Sequence, residues 1–210
     1  VTALVAATTA LSVLAVVFMP FSLLVNFMPL QRLLLFAAGT TGGPAPRFTP
    51  AEATYRIASL LRYLAFRTPL ANDGFYSPVE IAHMVDVQRI FQTVYLTALV
   101  SCLLTFVLVR LLQRRGGDAW RVARWSGTTV LALIAALATA SVTVGFDALF
   151  IAFHRLAFTN DFWLLPEDSG LIRLVPEQYF MDYFFIALGA SAAIAVALIV
   201  LSRWHHTRRL

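Results

Sequence analysis

Four apolar runs, each long enough to cross a bilayer, limit this chain more than any other feature. A helical crossing takes about 20 predominantly apolar residues. Residues 3–25, 91–112, 126–150 and 183–201 each reach about that length. Composition agrees: 60% of the 210 residues are apolar and 13% are charged, against roughly 45–50% and 25% in an average soluble domain. These values exclude an ordinary globular enzyme, a disordered chain and a nucleic-acid binder. The expected fold is all-α: one polytopic integral membrane domain over residues 1–210, with four transmembrane helices. Segments 26–88 and 154–182 should form a small helical extracytoplasmic cap. The first run has no basic flank and no evident cleavage site before a soluble portion, so it reads as a retained span rather than a signal peptide.

Arginine sets the expected orientation. The chain has 16 basic residues, all of them arginine. The short loop between the second and third runs carries Arg110, Arg114, Arg115, Arg121 and Arg124 against Asp118 alone, and the C-terminal tail carries Arg203, Arg208 and Arg209 beside His205 and His206. Basic loops of this size stay on the cytoplasmic side, so both termini should be cytoplasmic and the two longer connections outside. The single cysteine, Cys102, sits in an apolar run. It reads as a small buried hydrophobe, and no intrachain disulfide or cysteine zinc site is available.

The outer segments carry helix signals. Thr49-Pro50-Ala51-Glu52 and Ser77-Pro78-Val79-Glu80 both place a hydroxyl at N-cap, proline at N1 and glutamate at N3, the pattern of a reciprocal capping box. The first should open a helix from Pro50 to about Phe66, whose Ile57, Leu60, Leu61 and Leu64 fall on one side. That helix could lie in the membrane interface or pack within the cap. Gly39 to Pro46 reads as a flexible stretch, and Asn72-Asp73-Gly74 as a turn. The helix from Pro78 should run without a break into the second span.

Two histidines, His83 and His154, fall at similar depth on the outer side. Asp86 follows His83 by three positions and could hold its imidazole. Asp147 precedes His154 by seven and is the most membrane-embedded charge; Arg155 or Arg89 could pair with it. A metal site from His83, Asp86, His154 and Asp161 is conceivable, but the spacing is non-specific and there is no HExxH pattern. Phe158, Trp163, Tyr179 and Phe180 could be an interfacial aromatic belt or the wall of a substrate pocket. Trp120, Trp125 and Trp204 fit a belt on the inner side. No nucleophile elbow, phosphate loop, Ser–Lys pair or reactive thiol is present, so acid–base help and positioning fit better than covalent catalysis. A membrane acyltransferase or lipid hydrolase using these histidines, and a non-catalytic tetraspan scaffold or accessory protein, both stay open on the residues alone.

Several of these residues form a recognisable set. His83, Met84, Val85, Asp86 and Val87, then Phe153, His154, Phe158, Asn160, Asp161 and Trp163, then Leu171, Ile172, Pro176, Glu177 and Phe180 resemble the motifs of the Lit family, the bacterial lipoprotein intramolecular transacylases. The likeness covers about residues 75–95 and 147–182; elsewhere only the number and placement of spans agree. It implies four transmembrane helices under an extracytoplasmic cap in a bacterial cell membrane. It also implies an acyltransferase with no cofactor, whose partners are membrane lipids and a diacylglyceryl-modified lipoprotein. The reaction would move the sn-2 acyl chain from glycerol oxygen to the α-amine of the N-terminal cysteine. His83 and His154 would be the catalytic pair, either of which could be the base; our own reading puts His154 toward the amine and His83 at the glycerol oxygen. Asp86, Asp147, Asn160, Asp161 and Arg173 would support them, Asn160 and Arg173 as donors to the oxyanion. Phe153, Phe158, Trp163, Tyr179 and Phe180 would line the substrate pocket.

Overall fold

A computed structural model of the chain describes residues 1–70 and 73–207, without the side chain of His206. Asn72 of the expected turn and Arg208 and Arg209 of the tail lie outside the described residues. Among the described residues all regular structure is helical: α1 Thr2–Val25, α2 Met28–Ala37, α3 Pro50–Phe66, α4 Pro78–Arg114, α5 Ala119–Val144, α6 Phe146–Ala157, α7 Gly170–Leu174 and α8 Glu177–Thr207. Four helices, Thr2–Val25, Pro78–Arg114, Ala119–Val144 and Glu177–His205, are long and apolar enough to cross a membrane. The chain divides into two compact units, Val1–Ser22, Val94–Thr143 and Ile186–Leu210 in one, Leu23–Thr93 and Val144–Phe185 in the other.

The first unit holds most of α1 and α5 and long stretches of α4 and α8. Its core is small: Val16, Val130 and Ala195 are buried together, with Val13, Leu131, Ile134 and Leu198 packed around them. Small polar residues, Thr8, Ser101, Ser126 and Ser191, are buried as well, which suits helices that associate in lipid by close backbone approach. A Cβ on Gly127 would lie 2.6 Å from the Ala195 carbonyl oxygen and 2.7 Å from Ile199 Cγ1, so α5 and α8 meet where α5 lacks a side chain. The outward faces stay apolar, with Leu96, Leu103, Phe106 and Val107 of α4 exposed. Such faces are stable only against hydrocarbon.

The second unit is built from α2, α3, α6, α7 and the starts of α4 and α8. Its core is the apolar stripe of α3, Ala53, Ile57, Leu60, Leu61 and Leu64, buried with Leu34 and Leu35 of α2 and Leu171 and Leu174 of α7. The stripe is used inside the unit, where α3 packs against α2 and α7. Its last turn is capped from α4. Gln88 Nε2 donates to the Tyr63 carbonyl at 2.7 Å, and Gln92 Nε2 to those of Leu64 at 2.6 Å and Ala65 at 2.8 Å. The Leu64 and Ala65 carbonyls are of the kind that a helix end leaves without internal partners, while that of Tyr63 also accepts the Arg67 N–H at 3.0 Å.

Three local features depart from the expectation. Residues 28–37 form a helix, α2, that opens on Pro29. The stretch after Gly39 is pinned, because the buried Thr40 hydroxyl donates to the Leu174 carbonyl at 3.1 Å. The third apolar run does not continue to residue 150. It stops at Gly145, whose φ of 85° is accessible to glycine and strained for other residues, and α6 begins afresh at Phe146. His154 therefore sits on a separate helix of its own. Replacing Gly127 with alanine should destabilise the first unit by about 1–3 kcal/mol through overpacking. A lowered Tm in detergent, with unchanged helix content by circular dichroism at low temperature, checks this.

Candidate functional site

The helix that carries His83 is started by its own side chains. Glu80 N–H donates to Ser77 Oγ at 3.3 Å and Ser77 N–H donates to Glu80 Oε2 at 2.7 Å, so this capping box is reciprocal. The first box is only half formed: Glu52 N–H donates to Thr49 Oγ1 at 3.2 Å, but the Glu52 carboxylate accepts from Arg56 Nε at 3.2 Å. Glu80 also reaches far along the chain. It is buried, and its second oxygen, Oε1, accepts the Leu171 N–H at 2.6 Å. One carboxylate thus joins the first turn of α4 to α7, one turn before His83.

His83 lies in the first two turns of α4, ahead of the apolar run that begins at residue 91. His154 lies in the last turn of α6. Both are buried, and their rings face each other with centroids 6.1 Å apart and planes inclined at 30°. The surroundings are aromatic. Phe158 stands edge-on to His83 at 5.0 Å and 5.5 Å from His154. Phe150, Trp163 and Phe153 lie 4.2, 5.1 and 5.3 Å from His154. Phe180 lies against Phe150 at 5.8 Å and Tyr179 at 5.5 Å, one ring removed from the histidines. Phe150 was not among the residues singled out, although a position four before a helical histidine is on its face.

The two imidazoles differ in their hydrogen bonds. His154 Nδ1 lies 2.7 Å from the Phe150 carbonyl oxygen. A carbonyl only accepts, so Nδ1 carries the proton and Nε2 of the neutral ring keeps its lone pair. His83 Nδ1 is buried with no partner among the described residues. Burial lowers the pKa of both rings. His83 is pushed down to about 4, first by burial and then by the neighbouring His154, with Asp86 opposing. His154 is lowered by burial, opposed by its bond to Phe150. Both are neutral at pH 7.

The supporting residues lie differently from expectation. Asp86 makes no hydrogen bond to His83. Its Oδ2 accepts from Asn160 Nδ2 at 2.9 Å and its Oδ1 from Arg89 Nη1 at 2.8 Å, so a short side chain with both oxygens engaged elsewhere reaches the imidazole only through its charge. Asn160 Oδ1 accepts the Phe162 N–H at 3.0 Å, and the residue fastens the loop after α6 to the His83 helix. Arg89 is taken by Asp86, and Asp147 is paired instead with Glu177. That contact, after burial, raises the Glu177 pKa. Arg173 lies 5.3 Å over the Phe48 ring, and Tyr179 donates to Gln31 Oε1; neither is brought to the histidines. Asp161 lines a cavity of about 330 Å³ with Arg155, Phe158, Thr159, Asn160 and Trp163. Among the described residues no three His, Cys, Asp or Glu side chains are placed to hold a metal.

The arrangement can take a proton at one neutral imidazole nitrogen and offer a second, orphaned nitrogen on a ring whose centroid is 6.1 Å away, among aromatic rings that bury both histidines. It has no nucleophile of its own.

Comparison with known proteins places this geometry. The family model of lipoprotein intramolecular transacylase Lit matches residues 4–180. Three solved structures of the membrane-integral lipoprotein intramolecular transacylase Lit from Bacillus cereus share the fold. One has a TM-score of 0.83 at 18% identity, covering 100% of this chain and 99% of that one. A histidine-to-alanine variant has 0.82 at 16%, covering 99% and 94%. A histidine-to-arginine variant has 0.71 at 16%, covering 98% and 93%. No curated protein sequence matches the chain.

Two outcomes follow. Folded, His83 and His154 resist protonation; unfolded, they return to about 6.5. Between pH 6.5 and about 4 the unfolded chain binds more protons, so stability is full above pH 6.5 and is lost as pH falls toward 4. Tm measured across that range should drop, and less steeply in His83→Gln. Glu80→Ala strands two N–H groups, Ser77 and Leu171, and should cost about 2–4 kcal/mol, read from Tm and from faster exchange of the Leu171 amide.

Proposed function

The chain belongs to the Lit family of lipoprotein intramolecular transacylases, and on that premise we propose that His83 and His154 catalyse an acyl shift within one lipoprotein molecule. The substrate carries a diacylglyceryl thioether on its N-terminal cysteine. The α-amine attacks the sn-2 ester carbonyl, the carbon–oxygen bond to glycerol breaks, and the amine proton ends on the glycerol oxygen. The product is an N-acylated lyso-form with the same atoms as the substrate.

The carrying observation is the ring pair: one neutral imidazole with its tautomer set by the Phe150 carbonyl, stacked against another with a buried, unpartnered nitrogen. Attacker and ester belong to the same molecule, so positioning does much of the work; effective molarities in such arrangements reach about 10⁵–10⁸ M. An α-amine has a pKa of about 8 and must shed a proton during attack. His154 Nε2, free to accept, is the base. His83 serves the leaving glycerol oxygen, which gives its Nδ1 the partner it lacks. Because neither ring is charged at rest, the proton that ends on the glycerol oxygen is the one taken from the amine. Asp86 and Asn160 hold the loop of Phe158 and Trp163 against the His83 helix. The second amide proton of Asn160 is the side-chain donor nearest in kind to what an oxyanion needs. The aromatic wall keeps water from the ester, which would otherwise be hydrolysed.

The basic loop from Arg110 to Arg124 and Arg203 near the C-terminus support cytoplasmic termini. The histidines then work on the extracytoplasmic side of a bacterial cell membrane, where the lipidated cysteine is presented.

Expressed in a host that makes diacylglyceryl lipoproteins, the protein should convert them to the N-acyl lyso-form, read by mass spectrometry of the N-terminal peptide. His83→Ala and His154→Ala should each lower conversion by about 10²-fold or more. A diacyl N-terminus unchanged by the intact protein overturns the reading. Loss of one chain without N-acylation would make it a hydrolase.

A further inference from the structure

α6 has two faces. Phe146, Phe150 and His154 recur every four residues, with Phe150 packed against Phe146 and His154. Ala148, Ile151, Ala152, Arg155 and Leu156 recur at three- and four-residue steps on the other side and line an open, mainly apolar groove of about 630 Å³. Leu156 is 90% exposed. In a chain that spans a membrane, such a face is stable against lipid. Arg155 belongs to this groove and also to the cavity of about 330 Å³ at the C-terminal end of α6. It therefore stands on a border between an apolar and a polar compartment.

The smaller cavity combines opposed chemistry. Arg155 and Asp161 face it, and neither takes part in an ion pair among the described residues. Phe158 and Trp163 form its apolar side, and both also touch His154. Arg155 thus offers donors and Asp161 an acceptor, and Phe158 and Trp163 are shared with the surroundings of His154. At the low end of ligand-pocket volumes, it suits a short polar segment rather than an acyl chain.

We propose that this cavity is the subsite for the first peptide units of the lipoprotein, with Arg155 donating to backbone carbonyls and Asp161 accepting backbone N–H groups or the α-ammonium before it is deprotonated. The inference rests on the transacylase reading and deepens it. A lipidated cysteine lies where hydrocarbon meets water, so the peptide that follows it leaves that border on the polar side. Its amide groups must exchange water for protein partners to bring the α-amine to His154. Arg155 supplies a fork of donors at the border, and Asp161 supplies an acceptor six residues on. The cavity would make the enzyme read the peptide as well as the lipid, and so tell a lipoprotein from a diacylglycerol lipid lacking peptide.

The test compares two substrates on the full-length protein in bilayer nanodiscs: an S-diacylglyceryl-cysteinyl tetrapeptide and the S-diacylglyceryl-cysteine amide that lacks further residues. The wild type should prefer the tetrapeptide in kcat/KM. Arg155→Ala should cut that preference about tenfold, the scale of one charged hydrogen bond, mainly through KM. Arg155→Lys should restore part of it, and Asp161→Asn should lower it. Equal preference in wild type and variants, or none in the wild type, overturns the proposal. A tetrapeptide with benzoylphenylalanine at its third residue gives a readout on the unaltered protein. Cross-links within residues 155–164 support the subsite, and cross-links confined elsewhere refute it. Should neither substrate be rearranged, the transacylase reading falls, while the cross-link still decides whether the cavity takes peptide.

Discussion

Two imidazoles share one buried aromatic pocket only while neither is charged. That constraint organises the site. A cation at His83 or His154 would lose its hydration and face a second ring that could also charge, so the pocket holds the pair in the form that accepts protons. The bond from His154 to Phe150 then selects which nitrogen accepts. The same burial that makes stability respond to pH keeps both rings neutral at pH 7, with one nitrogen lone pair on each. An exposed histidine with a pKa near 6.5 would work without the pocket, but it would also leave the ester open to water.

The pocket depends on connections that close over long stretches of chain. Asn160 and Asp86 are 74 residues apart, Glu80 and Leu171 are 91 apart, and Thr40 and Leu174 are 134 apart. Each brings a loop or short helix to the α4 segment or to its neighbours. The second unit gains order chiefly from side chains satisfying distant backbone groups and from the α3 stripe. The first unit gains it from small residues, with a core of few large side chains. The contrast follows solvent: apolar helix faces find partners in hydrocarbon, whereas segments in water must bury theirs.

How much of this was legible depends on range. The four long helices were readable because their length and apolarity are local properties. The Ser77–Glu80 box was readable because both partners lie within one turn. α3 was found to within a residue by its cap and stripe. The two histidines were readable as candidates by matched depth and family motif. The break at Gly145 was not, because a glycine within an apolar run looks the same whether φ is negative or positive. α2 was missed because its short apolar sequence follows the first span without a clear cap. The distant partners of Asp86 and Glu80, Asn160 and the Leu171 N–H, could not be read: spacing shows which side chains share a face, not which distant backbone or amide will reach them. Asp86 at i+3 from His83 shared its face and still turned to Asn160.

α7 is five residues long, too short to persist on its own; helices of that size are unstable in water without outside support. Its buried anchor is the carboxylate that also starts the His83 helix. α7 thus acquires structure from the very turn that precedes His83. Winding of α7 and winding of the first coil of α4 are thereby tied to a single side chain: whatever unravels one robs the other of its clasp.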